Sequence, residues 1–211
     1  MGKGKLLNAK ASSRVLECVH ETLSKLEALH PITELDLVLF PSFNLTHPRW
    51  FRTGMCHSAN AVEISFNPNH DLFDSRLEVE LPPLILHEVH HALRYRHFDQ
   101  WTIGENLILE GLARCAEGVL GDVPMDYNPQ LPQDKLKELC TKAANEMDIT
   151  DPEKFYWIWE SYSNDHVSNM YHVGYWFAQT ALENLNKNAF TVISHSYQSL
   201  MSTGREAMLN A

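Results

Sequence analysis

Apolar residues recur at helical spacing near the start of the chain. Val15, Leu16, Val19, Leu23, Leu26 and Leu29 predict a helix over residues 14–29, which stops at His30-Pro31 because a residue before proline avoids the helical region. Leu35-Asp36-Leu37-Val38-Leu39-Phe40 predicts a strand closed by Pro41. Residues 41–60, with Pro48, Gly54 and several polar side chains, read as loop. Ala61-Val62-Glu63-Ile64-Ser65-Phe66 alternates and predicts a second strand, stopped by Asn67-Pro68-Asn69. Pro82-Pro83 opens a helix over about 83–97, since proline is tolerated where the first helical N–H groups have no partner. Thr102 and Glu105 form a capping box for a helix over about 103–120, closed near Gly118 and Gly121. A Pro-rich connection from Asp122 to Gln133 follows. Further helices are predicted at about 134–147, 152–162 (opened by Asp151-Pro152), 166–187 and 190–202.

This order of elements predicts an α+β chain that is mostly helical. Residues 1–211 read as a single domain, with a mixed strand and helix part over about 1–100 and a helical part over about 101–211. Hydrophobic residues make up 44% and charged residues 21% of the chain, as expected of a soluble globular protein. The net charge of −10 argues against nucleic acid or an anionic membrane surface as a partner. No apolar core of signal-peptide length follows the start, because Asn8, Lys10, Ser12, Ser13 and Arg14 interrupt it. Gly2 lacks the Ser or Thr at position 6 that myristoylation prefers; Leu6 stands there. Cys18, Cys56, Cys115 and Cys140 form no C-x-x-C pair, so the expectation is a cytoplasmic protein with reduced, mostly buried thiols.

Chemistry enters at His87-Glu88-Val89-His90-His91, an H-E-x-x-H segment. On a helix, residues i and i+4 share a face, so His87 and His91 can hold one metal ion. Glu88 is placed to take a proton from a metal-bound water. His90 is turned about 100° from His91, and neither it nor His97 is expected to be a ligand. Catalytic zinc usually takes three protein ligands, so a third is needed. Glu110 is the best candidate: the gap after His91 leaves room for the helix to finish, a turn of about five residues, and a second helix returning antiparallel. It is an acid among Leu107, Ile108 and Leu112, a costly placement unless it is paired or metal-bound. Gly111 costs about 1 kcal/mol of helix stability relative to Ala, and close approach of the Glu110 helix to the metal helix would explain it. The strand at 61–66 is a candidate for the edge strand that holds a substrate backbone, or is an ordinary core strand.

His87-Glu88-x-x-His91 with Glu110-Gly111-x-Ala113 resembles the gluzincin peptidases. It resembles more closely a family of predicted zinc-dependent proteases that pairs H-E-x-H-H with Glu-Gly-Leu-Ala and a later Gly-Tyr helix, here Tyr171-His172-Val173-Gly174-Tyr175. The resemblance spans about residues 60–185. It implies a zincin-like fold with a small N-terminal sheet packed on the metal helix, one zinc ion on His87, His91 and Glu110, and Glu88 as general base of a hydrolase acting on peptide or protein substrates.

Peptide hydrolysis also needs a donor to the developing oxyanion. Tyr171 and Tyr175 share a face at i and i+4, and Tyr171 is preferred, with His172 and His166 as competitors; packing roles remain open for each. Asn106, Glu117 and Asp165 are candidates to orient the ligand imidazoles. Trp157, Trp159 and Trp176 line a cleft or pack between helices. The rival to a peptidase is a catalytically silent, metal-binding sensor or interaction module. A purely structural zinc site would leave Glu88 without a task and would be richer in Cys. The oligomeric state is not encoded in these patterns.

Overall fold

The computed structural model describes residues 9–45, 51–97, 100–121, 131–161 and 167–210. The Asp122–Gln133 connection falls largely, and Asp165 and His166 wholly, outside the described residues. The chain is α+β and mostly helical, with one small sheet, and divides into two compact units, residues 1–92 and 93–211.

The first unit begins with helix α1 (Ala9–Leu29). Its buried stripe runs through Ala11, Val15, Cys18, Val19, Thr22 and Leu26, while Leu16 and Leu29 are exposed. Strands β1 (Asp36–Pro41), β2 (Arg52–Ser58) and β3 (Ala61–Phe66) form a sheet in the order β1-β3-β2. β1 runs parallel to β3, with Leu37 opposite Val62; β2 runs antiparallel, with Gly54 opposite Ile64. Two sequence expectations are corrected here. Part of the expected loop at 41–60 is strand β2, and the 61–66 strand is central, so it cannot be the free edge; β1 and β2 are the edges. Central position explains why Val62, Ile64 and Phe66 are buried, whereas Val38, Phe40 and Met55 on the outer face stay exposed.

Helix α2 (Phe73–Arg94) begins ten residues before the expected start, and Pro82 and Pro83 lie inside it. An interior proline costs about 3 kcal/mol through a lost hydrogen bond and a steric clash. The stripe Phe73, Leu77, Leu81, Ile85, Val89, Leu93 is buried along the whole helix, and burial contributes about 1.5–3 kcal/mol for each large side chain. Packing therefore overrides the proline preference for a first turn. Arg14 of α1 ties to this helix through Asp74 and Glu78.

The second unit takes the last two residues of α2 and adds α3 (Ile103–Ala116), α4 (Gln133–Glu146), the short α5 (Tyr156–Trp159), α6 (Asn169–Leu185) and α7 (Tyr197–Asn210). The helix expected at 152–162 is broken: a 3-10 turn covers Pro152–Lys154, α5 lasts four residues, and Ser161 bridges to Ser168. The helix expected near 190–202 is also two pieces, a 3-10 turn at Ala189–Val192 and α7. Thr102 caps α3 by accepting from the Glu105 amide, but the Glu105 side chain turns to Arg94, so the box is only half formed. Gly111 of α3 meets Gly174 of α6: a Cβ on Gly111 would lie 2.0 Å from the Gly174 carbonyl oxygen. That contact with α6 supplies a reason for Gly111. Trp157 is buried with its Nε1 donating to Glu146, Trp176 packs edge-on against Phe177, and Trp159 is exposed. All four thiols are free, and no helix among the described residues is long and apolar enough to cross a membrane.

Candidate metal centre

α2 presents His87 and His91 one turn apart, as i,i+4 spacing requires. Their Nε2 atoms lie 2.9 Å apart and the rings meet edge to face, with centroids at 4.5 Å. Two imidazole lone pairs can face each other so closely only if a proton or a cation lies between them. Both rings are buried. His87, His91 and Glu110 each offer one ligand atom, and these atoms all lie within 4.8 Å of one another. Two imidazole nitrogens and a carboxylate oxygen, with no fourth protein ligand in the group among the described residues, are the donor chemistry of an open zinc site, so these residues fit that metal. His90 is fully buried and outside this group, and His97 is exposed.

Glu110 is half-buried on α3, among Leu107, Ile108 and Leu112, which have no exposed surface. The start of α3 is held by a buried ion pair. Arg94 Nε donates to Glu105 Oε1 at 2.7 Å, and Arg94 Nη1 donates to the backbone oxygens of Ile193 and His195. Burial works against both charges, raising the Glu105 carboxyl and lowering the Arg94 guanidinium, and their pairing opposes it. Asn106 donates to the Thr102 carbonyl, and Glu117 pairs with Arg114.

Glu88 is buried on α2 against strand β2, both in the first unit. Gly54 of β2 faces it so closely that a Cβ there would lie 2.5 Å from Glu88 Cγ and Oε1. β2 is held to α2 nearby. Arg52 Nε lies 3.1 Å from Glu80 Oε2, and the same buried carboxylate takes Arg76 at 2.6 Å. Cys56, the next inward-facing residue of β2, has its thiol pushed up to about 12, chiefly by burial and then by the Glu88 charge.

Tyr171 and Tyr175 both lie on α6 and are half-buried, as is His172 between them. Tyr175 lines a groove of about 290 Å³ with Cys115, Gln179 and Glu183. Burial raises its phenol above the ordinary value, and the charged or ionisable groups acting on it are Cys115, Arg114, Glu183 and Glu117.

Three residues were missed by sequence reasoning. Gly54 sits in an alternating run, Arg52-Thr53-Gly54-Met55-Cys56, where an isolated glycine marks close approach of another group. Arg94 stands one turn past His91 in an apolar run, and Glu105 was read only as a cap; charge in such positions asks for a partner.

A family model described as "Predicted Zn-dependent protease (DUF2268)" matches residues 15–202. No curated protein and no solved structure matches the chain.

Proposed function

The chain belongs to this family of predicted zinc-dependent proteases, and from that premise we propose that it is a gluzincin-type peptidase with a zincin-like fold. His87, His91 and Glu110 hold one zinc ion, and Glu88 is the general base. The observation that carries this reading is the convergence of two imidazole nitrogens and a carboxylate oxygen within 4.8 Å, with Glu88 adjacent in sequence to the first of them.

Zinc, when bound, supplies a Lewis acid that acidifies water and polarises a carbonyl. Every other role falls to the protein. Glu88 takes the proton of the attacking water and returns it to the leaving amine. Its burial beside Gly54 holds the carboxylate in one place and keeps bulk water away. Tyr171 donates to the oxyanion. Tyr175, one turn further along the same face of α6, is the alternative donor. Edge strand β2, which packs on Glu88, replaces the 61–66 strand as the element that pairs with an extended peptide. Peptide or protein substrates suit a net charge of −10 better than nucleic acid or membrane, and four free thiols suit the cytoplasm.

The test is metal analysis of the purified chain followed by cleavage of mixed peptide libraries. One zinc per chain and cleavage by the wild type are expected. Glu88→Gln should keep the zinc and lose activity by about 10²–10⁴-fold. A wild type that binds zinc and cleaves nothing across broad libraries overturns the peptidase reading and leaves a metal-binding sensor. Unchanged zinc stoichiometry in His91→Ala or Glu110→Ala overturns the ligand set.

A further inference from the structure

Gly54 and Glu88 meet in a way that neither packing of the sheet nor binding of a metal requires. A Cβ on Gly54 would lie 2.5 Å from Glu88 Cγ, 2.5 Å from Oε1 and 2.7 Å from Cδ. The missing side chain thus faces three atoms at the acid end of Glu88, not the edge of one. We propose that Gly54 is a positioning residue for the general base: the bare backbone of β2 at this point is the slot that holds the Glu88 carboxylate. This rests on the reading of Glu88 as the base.

Two observations decide which partner would yield if the slot were filled. β2 cannot retreat easily. Its residues pair along β3, Gly54 opposite Ile64, and Arg52 is fixed to Glu80, whose side chain is almost wholly buried and also engages Arg76. Glu88, by contrast, reaches the slot through three side-chain torsions and can adopt another rotamer. Gly54 itself has no left-handed backbone angle, so the backbone accepts an alanine there, and the three atoms nearest its Cβ would all belong to Glu88. The same strand that offers its free edge to a peptide therefore sets the position of the proton acceptor.

The experiment is a cycle of Gly54→Ala, Glu88→Ala and the double variant in the full chain, read by kcat, KM, zinc affinity by chelator competition, and Tm. Gly54→Ala should lower kcat by about 10²-fold, the cost of a misplacement near 1 Å, with KM and zinc affinity little changed. It should lower Tm in the wild-type background and leave Tm unchanged in the Glu88→Ala background, where nothing fills the slot. If Gly54→Ala fails to fold, the double variant should fold. An equal Tm loss in both backgrounds, a double variant that also fails to fold, or an unchanged kcat in Gly54→Ala overturns the proposal. A wild type without activity whose Tm cycle still depends on Glu88 supports the slot and overturns the peptidase reading alone.

Discussion

Gly54 in the first unit faces the end of a side chain, whereas Gly111 and Gly174 in the second face backbone. A Cβ on Gly174 would lie 2.2 Å from the Leu107 carbonyl oxygen, and one on Gly111 would lie 2.0 Å from that of Gly174. A carboxylate can swing aside by changing rotamer; two helices cannot part without losing the contacts along both. Two Arg–Glu pairs differ in the same way. In the first unit Arg14 meets Asp74 and Glu78 at the surface, with 57% of the Glu78 side chain exposed. In the second, Arg94 and Glu105 pair with 2% of each side chain exposed. Residues that look alike in sequence, a glycine in an element or an Arg–Glu pair, thus serve adjustable chemistry or fixed packing according to what surrounds them, and Arg52 on the buried Glu80 is a fixed pair within the first unit.

The largest effect should come from the buried pair. Glu105→Ala leaves the Arg94 guanidinium buried without its carboxylate and should cost about 3–5 kcal/mol, measured by denaturant unfolding. Replacing Arg94 and Glu105 together by Met and Leu should recover much of that loss, because desolvation of both charges is then removed. A single variant as stable as wild type would break the contrast with the surface pairs. Gly111→Ala comes next: overpacking two helix backbones should cost about 3 kcal/mol and lower Tm by about 6–12 °C in a chain of this length. A Tm within about 2 °C of wild type would show that α3 and α6 separate at little cost. Gly54→Ala should cost only about 1 kcal/mol, the scale of one displaced rotamer, and spend its effect on kcat instead.

The sequence made α3 and the metal segment legible because both rest on local rules. Thr102 caps where a capping residue belongs, and H-E-x-x-H spacing needs only a helix to bring two rings together. β2 was not legible. Its seven residues include Gly54 and mostly polar side chains, and its burial alternates without one fully buried position, so no apolar period marks it. The start of α2 was misread because Pro82-Pro83 is a strong local signal, and only the tertiary burial of Phe73, Leu77 and Leu81 overrules it. The reason for Gly111 was also tertiary: its partner Gly174 lies far along the chain, and spacing cannot name it. For the candidate site, the ligand types could be read locally, while the slot for Glu88 could not, because it is made by a strand the pattern hides.

The smallest effect belongs to Arg14, and its pH dependence tests whether its pairs with Asp74 and Glu78 act only at the surface. The hydrogen bond from Arg14 holds the Glu78 carboxyl below its ordinary value of 4.5. A folded pKa below the unfolded one means that the pair stabilises the fold above the unfolded value and ceases to do so as pH falls through the folded value. Solvent screening of so exposed a carboxylate keeps the contribution under about 1 kcal/mol. Arg14→Gln should therefore be slightly less stable than wild type at pH 7, and the difference should shrink as pH falls below 4.5 or as salt approaches about 1 M. Arg14 also lies over the Phe73 ring, with Cζ 5.9 Å from its centroid. That contact does not titrate in this range. A difference that survives at pH 2 in thermal unfolding would assign the role of Arg14 to its non-titrating contacts, the Phe73 ring and the Asp74 backbone carbonyl, and not to the carboxylates, and would make this end of α2 resemble the second unit, where packing and charge are one device.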